Sequence, residues 1–142
     1  MIHDEIVTFK VAKLAKEKGF DEECREFYCE DKSQKRITRI SCNRHVTSFD
    51  YCTNSMLEDY YPPHEYYYIA APTQSLLQRW LREEKGYYVY PFFDNESRRW
   101  TWVCRELTGD KWIQLLDFEE RYFDTYELAL EDALKYALEN LV

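Results

Sequence analysis

The stretch that decides the fold is residues 87–118, YYVYPFFDNESRRWTWVCRELTGDKWIQLLDF. Its aromatic and β-branched residues favour strands, and the polar tetrapeptide DNES and the tripeptide TGD are typical of turns. Short connections between successive strands predict an antiparallel meander. The three predicted strands are Tyr87 to Phe93, Arg98 to Leu107 and Lys111 to Phe118.

A helix is predicted immediately before this meander. Leu76, Leu77, Trp80 and Leu81 fall on one helical face, which gives the segment an apolar side to bury. The Ala-Pro-Thr-Gln-Ser sequence from residue 71 suits a helix start, since proline lacks an N–H that the first turn would leave unpaired. Gly86 is predicted to end the helix.

A longer helix is predicted after the meander. Asp124 is the predicted N-cap with Glu127 three residues later, and Phe123 and Leu128 occupy the positions of a hydrophobic staple. A Leu and Ala stripe continues from Leu130 through Leu134 and Ala137 to Leu141, and we expect it to dock on the meander.

The N-terminal half has a weaker pattern. A helix is predicted from Phe9 to Lys18, with Thr8 as its N-cap and Gly19 just past its end. Strands are predicted at Arg25 to Cys29, Arg36 to Cys42 and Tyr66 to Ile69, with loops at Asn54-Ser55 and Pro62-Pro63.

Together these elements predict the α+β class, an antiparallel sheet with two or three helices packed against it. The length of 142 residues fits a single domain over 1–142, with an α/β portion over 1–70 and an α-β-β-β-α portion over 71–142. No apolar run approaches the length of a membrane helix, and the first residues lack the pattern of a secretory signal. A cytoplasmic protein with reduced cysteines is therefore expected.

Three segments resemble short uncharacterised proteins of gut bacteria and their phages. They are Ala12 to Phe20, the APTQSLLQRWLRE sequence of residues 71–83 with Gly86 after it, and Phe123 to Glu127 with the Leu/Ala-rich helix that follows. The resemblance covers both ends and the middle of the chain, whereas residues 30–65 resemble nothing in that group. It implies a shared fold and a phage or mobile-element setting, and it implies no activity and no site residues.

Metal and catalytic motifs are weak in this sequence. The candidate zinc ligands are Cys24, Cys29, Cys42, His45 and Cys52, but their spacing is loose for two ligand pairs and buried thiols explain the cysteines better. Neither a glycine-rich phosphate loop nor a serine or cysteine nucleophile motif is present. Acidic neighbours such as Glu119-Glu120 and Glu131-Asp132 are expected by chance among 27 acids. The sequence therefore predicts a protein that is not an enzyme and has no cofactor.

Tyrosine is the residue type that points to a partner. The chain has 13 tyrosines, and side chains alternate between the two faces of a strand, so Tyr66, Tyr67 and Tyr68 cannot all face one core. Tyrosine is common at binding hot spots. We therefore expect a protein-binding or regulatory module that uses Tyr61, Tyr66 and Tyr67, in a segment from Tyr60 to Tyr68 kept extended by its prolines.

Two alternatives rest on charge. Five basic residues and no acid lie between Lys32 and His45, so a nucleic-acid-associated accessory protein would use the basic segment 32–44, with Arg36 and Arg39 in contact with the nucleic acid. The net charge of −8 and the seven acids between Asp117 and Asp132 instead suit an acidic mimic of nucleic acid and disfavour general binding to nucleic acid or anionic membranes. The oligomeric state is left open by the sequence.

Overall fold

The computed structural model describes residues 3–61, 65–108, 111–116 and 121–142. The chain divides into two compact units, an N-terminal unit of Ile6–Thr73 and a C-terminal unit of Met1–Glu5 with Gln74–Val142. Within the described residues, each unit contains one antiparallel sheet of three strands and two α-helices.

The N-terminal unit has strand order β2-β1-β3, with β1 in the centre. Phe27 on β1 is fully buried in its core, while the Tyr28 ring packs edge-on against Phe9 of the first helix, 5.7 Å between centroids. The elements are α1 Phe9–Glu17, β1 Glu26–Asp31, β2 Arg36–Ser41, α2 Asn54–Tyr60 and β3 Tyr66–Ala70.

The C-terminal unit contains the predicted meander, with strand order β4-β5-β6. The final helix packs on the first two of these strands, and Asp132 on that helix accepts a hydrogen bond from the indole of Trp102, 2.9 Å. The elements are α3 Gln74–Trp80, a π-helical turn Leu81–Lys85, β4 Tyr87–Asp94, β5 Arg99–Thr108, β6 Lys111–Leu116 and α4 Tyr126–Asn140.

The α+β class and the antiparallel meander are confirmed. Thr8 caps α1 by accepting from the Val11 amide, 3.3 Å, and both Gly19 and Gly86 adopt the positive φ angles, 92° and 77°, that favour glycine at a helix end. The predicted turn over Gly109-Asp110, the end of the third strand at Phe118, Pro62-Pro63 and Glu119-Glu120 lie outside the described residues. None of the described helices has the length and apolar character of a membrane span.

The predicted number of helices and the loop at Asn54-Ser55 are wrong. Within the described residues there are four α-helices, because α2 begins at Asn54 with Thr53 as its N-cap, accepting from the Met56 amide at 3.1 Å. Tyr60 is therefore helical and Tyr61 is the C-cap, so the segment from Tyr60 is not extended as predicted. Asn and Ser favour turns because their side chains form local hydrogen bonds. Here the side-chain amide of Asn54 instead hydrogen-bonds to backbone groups that are distant in sequence.

The predicted cap of α4 is also wrong by one residue. Thr125 is the N-cap and accepts from the Leu128 amide at 3.1 Å, whereas Asp124 pairs with Arg99 at 3.2 Å. Moving the cap by one residue also removes Phe123 and Leu128 from the staple positions. Phe123 instead forms a β-bridge with Trp100, and Leu128 is exposed.

We expect Thr125→Ala to lower the free energy of unfolding by about 1 kcal/mol, because the Leu128 amide loses its cap. Asp124→Ala should lower the free energy of unfolding by less, since it removes an exposed ion pair. Thr125→Ser keeps a hydroxyl at the cap and should retain most of the stability. Urea denaturation of the three variants measures this. A larger loss for Asp124→Ala than for Thr125→Ala would contradict the assignment.

Candidate functional site

The most distinctive surface of the N-terminal unit is a tyrosine-lined cavity between α1, α2 and β3, here called the tyrosine groove. Its volume is about 180 Å³. Three of its residues, Tyr61, Tyr66 and Tyr67, are the ones that the sequence predicts for partner binding. The full lining is Lys16, Leu57, Glu58, Tyr61, Tyr66, Tyr67 and Tyr68.

Stacked rings form the aromatic wall of the groove. The rings of Tyr61 and Tyr68 lie 4.2 Å apart between centroids and 22° from parallel. Both also pack near Phe27 of the core, at 6.4 and 6.0 Å. Aromatic pairs of this kind add about 0.5–1.5 kcal/mol beyond the burial of their area, so the wall is held in place before any ligand binds.

The alternation of β3 distributes the three consecutive tyrosines. Tyr66 and Tyr68 lie on one face of the strand and Tyr67 lies on the other. Tyr66 is 43% exposed, whereas Tyr67 and Tyr68 are half-buried. Tyr66 is thus the groove tyrosine most accessible to a partner.

Lys16 on α1 links the elements around the groove. Its ammonium lies 4.4 Å from the ring centroid of Tyr67 and 3.3 Å from a carboxylate oxygen of Glu58, and it donates to the Tyr68 carbonyl at 3.4 Å. Its side chain is only 12% exposed. Because Glu58 balances this charge, the groove presents aromatic surface rather than a free cation.

The phenol of Tyr68 has a strongly perturbed acidity. Burial, with an added contribution from the neighbouring Cys29, raises the pKa of Tyr68 to about 12. The phenol therefore stays protonated up to a higher pH than an ordinary tyrosine.

Arg36 and Arg39 are not part of the groove. Both are exposed on β2, the edge of the sheet opposite to β3. Arg39 pairs with Glu26 at 3.2 Å, and Arg36 is attracted by Asp31. Arg44, also in the basic segment, pairs with Asp50 at 2.9 Å, so acids of the same unit offset much of the predicted basic patch.

Three of the five candidate zinc ligands converge, and two do not. Cys24 and Cys52 form a β-bridge with two backbone hydrogen bonds of 2.8 Å, and the Cys42 thiol donates to the Cys24 carbonyl at 3.9 Å. Cys29 lies opposite Tyr68 in the register of β1 and β3, and His45 is exposed. Within the described residues, no three His, Cys, Asp or Glu side chains are placed to hold a metal ion.

The converging thiols are protonated at neutral pH. Burial is the largest cause that raises the pKa of Cys24 to about 12, and it also raises the pKa values of Cys42 and Cys52. A thiolate is the form that attacks an electrophile, so these thiols lack the activation that a nucleophilic cysteine needs.

We expect the chain to lose stability in alkali through these thiols. Because the folded-state pKa of Cys24 lies above the ordinary 9.0, its contribution is complete below pH 9 and is lost as the pH rises towards 12. In Cys24→Ala, the slope of unfolding free energy against pH in this window should be shallower by up to about 1.4 kcal/mol per pH unit. Urea denaturation at several pH values tests this, and equal slopes in both proteins would contradict it.

The sequence missed four residues of the groove, Lys16, Leu57, Glu58 and Tyr68. Lys16 and Glu58 are single charges in mixed polar sequence, and no local pattern marks them. Tyr68 could have been predicted together with Tyr66, because alternation places both side chains on the same face of the strand.

No protein-family model, curated protein or solved structure matches this chain. Function is therefore inferred from the chemistry of the groove.

Proposed function

We propose that this chain is a non-enzymatic protein-binding module that takes up an extended segment of its partner in the tyrosine groove. The observation that carries the proposal is the stacked Tyr61–Tyr68 pair with the exposed Tyr66 beside it. Rigid aromatic side chains of this kind provide binding area at a low cost in conformational entropy.

The size of the groove favours a side chain as its occupant. Cofactor and substrate sites are commonly about 300–1,000 Å³, whereas this cavity measures about 180 Å³. A proline or an aliphatic side chain of an extended peptide suits such a volume, and grooves lined by aromatic rings are a recurrent way to recognise proline-containing segments.

Charge and acidity support binding rather than catalysis. The ammonium of Lys16 is paired with Glu58, so it is not poised for a substrate anion. The buried thiols stay protonated, which suits packing. A reducing compartment such as the cytoplasm keeps such cysteines as thiols, and we place the protein there.

Selection of peptides from a displayed random library tests the proposal. We expect enriched peptides to share a proline or an aliphatic anchor. Their affinity should fall at least about tenfold in Tyr66→Ser, a loss of about 1.4 kcal/mol that is usual for an interface hot spot. Titration calorimetry measures the loss.

Tyr51→Ser is the matched control, because Tyr51 is 46% exposed in the same unit but does not line the groove. It should leave the affinity unchanged, and Tyr66→Phe should retain most of it. Equal losses in Tyr51→Ser and Tyr66→Ser, or no enrichment above background, would refute the groove as the binding surface.

A further inference from the structure

The strand β2 has an open edge. It pairs with β1 along one side, and among the described residues no strand lies along its other side. The Cys42 amide donates to the Arg25 carbonyl at 2.8 Å. Alternation of an antiparallel ladder therefore points the amides and carbonyls of Ile37, Arg39 and Ser41 away from β1.

The opposite edge of the same sheet is covered by side chains. On β3 the carbonyl of Tyr68 accepts from the Lys16 ammonium at 3.4 Å, and the amide of Ala70 donates to the side chain of Asn54 at 2.8 Å. Another strand cannot extend along β3 without displacing both of these side chains.

The β4 edge of the C-terminal unit is also covered. The carbonyl of Val89 accepts from the side chain of Gln78 at 2.7 Å. The Leu107 amide donates to the Gly86 carbonyl at 3.0 Å, so alternation turns the backbone nitrogen of Pro91 outward, where proline has no N–H to offer. Covered edges are the usual way that proteins prevent unwanted strand pairing, and no side chain of the described residues covers the outer edge of β2 in this way.

The side chains of β2 indicate the chemistry of a partner strand. β2 contains Arg36 and Arg39 and no acid, and Lys35 precedes it. Ile37 is 45% exposed. An added strand would lie about 4.8 Å from β2 and about twice as far from β1. The charges nearest to it would be those of Lys35 and Arg36, because Arg39 is already paired with Glu26.

We propose that β2 is a strand-addition site for an extended acidic segment of another protein. Backbone hydrogen bonds to Ile37, Arg39 and Ser41 hold the segment, carboxylates contact Lys35 and Arg36, and an aliphatic side chain covers Ile37. A second copy of this chain is disfavoured, because it would bring arginines of like charge together. This surface is distinct from the tyrosine groove, which lies at the β3 edge.

The test is a titration of the ¹⁵N-labelled full chain with a short capped peptide of alternating Glu and Val, followed by NMR. We expect chemical-shift changes in β2 and slower hydrogen exchange at the amides of residues 37, 39 and 41. A peptide of alternating Lys and Val is the matched control. It should bind about tenfold more weakly or worse, which corresponds to a loss of about 1.4 kcal/mol in binding free energy.

Two variants separate backbone pairing from charge. Ile37→Pro removes an outward amide while leaving the hydrogen bonds between β1 and β2 in place, and it should weaken binding at least about tenfold. The double variant Lys35→Glu with Arg36→Glu keeps every backbone amide of the edge and loses the attraction between Arg36 and Asp31, so it remains informative if Ile37→Pro fails to fold. This double variant should bind the acidic peptide more weakly and the basic peptide more tightly than the unaltered chain does.

Several results would overturn the proposal. One is the absence of binding at millimolar peptide, and another is shift changes confined to the tyrosine groove. Line broadening in β2 that grows with protein concentration and without peptide would show that a second copy is the occupant. Tighter binding of a single-stranded oligothymidylate than of the peptide at the same residues would assign the edge to nucleic acid.

Discussion

Leu134→Ala is expected to lower the free energy of unfolding of the C-terminal unit by about 2–5 kcal/mol. Leu134 is fully buried on α4, the helix that packs on β4 and β5. Truncating it removes apolar burial and leaves a cavity that close-packed neighbours fill only in part. Tryptophan fluorescence during urea denaturation measures the loss, because all four tryptophans lie in this unit.

Leu128→Ala is the matched control for this prediction. It makes the same chemical change on the same helix, but Leu128 is 54% exposed, so its cost should stay within about 0.5 kcal/mol. Similar losses for the two variants would show that the buried face of α4 has been assigned wrongly.

Asn54→Ala is expected to have an effect of similar size on the N-terminal unit. Its side chain is buried, donates to the Phe20 carbonyl and accepts from the Ala70 amide, both at 2.8 Å. Each backbone group left buried and unpaired costs about 1–3 kcal/mol, so the loss should reach about 2–6 kcal/mol. Hydrogen exchange followed by mass spectrometry reads the stability of this unit separately.

Asp59→Ala is the control for that substitution, because Asp59 is exposed on the same helix. This variant should leave the hydrogen-exchange rates of the unit nearly unchanged. Asn54→Asp keeps an acceptor for Ala70 but loses the donor to Phe20 and buries a charge, so it should not restore stability. Unchanged exchange in Asn54→Ala would contradict the assigned hydrogen bonds.

Local patterns predicted the regular elements well. The strands within residues 87–118 follow from aromatic and β-branched runs separated by polar turns, and α1 follows from Thr8 and Gly19. The errors have tertiary causes. The helix α2 spans seven residues, too few for a clear apolar period, and Asn54 is a turn former that distant backbone groups hold in a helix.

The site was predictable only where one strand determines it. Alternation along β3 required at least one of Tyr66, Tyr67 and Tyr68 to be exposed or to cover a second layer, and Tyr66 is exposed. Lys16 contacts Tyr67, 51 positions away in sequence, and Glu58, 42 positions away, and no local periodicity predicts contacts over such separations. The open edge of β2 likewise depends on the strand order, which the sequence alone did not specify.

The most direct measurement of the central claim is ¹⁹F NMR of the chain labelled with 3-fluorotyrosine, titrated with a library-selected peptide. Single Tyr→Phe variants assign the 13 tyrosine signals. Uptake in the tyrosine groove predicts that the signals of Tyr61, Tyr66 and Tyr68 shift together with the calorimetric saturation, while the signal of Tyr51 stays fixed. Saturation of binding with those three signals unmoved would contradict it.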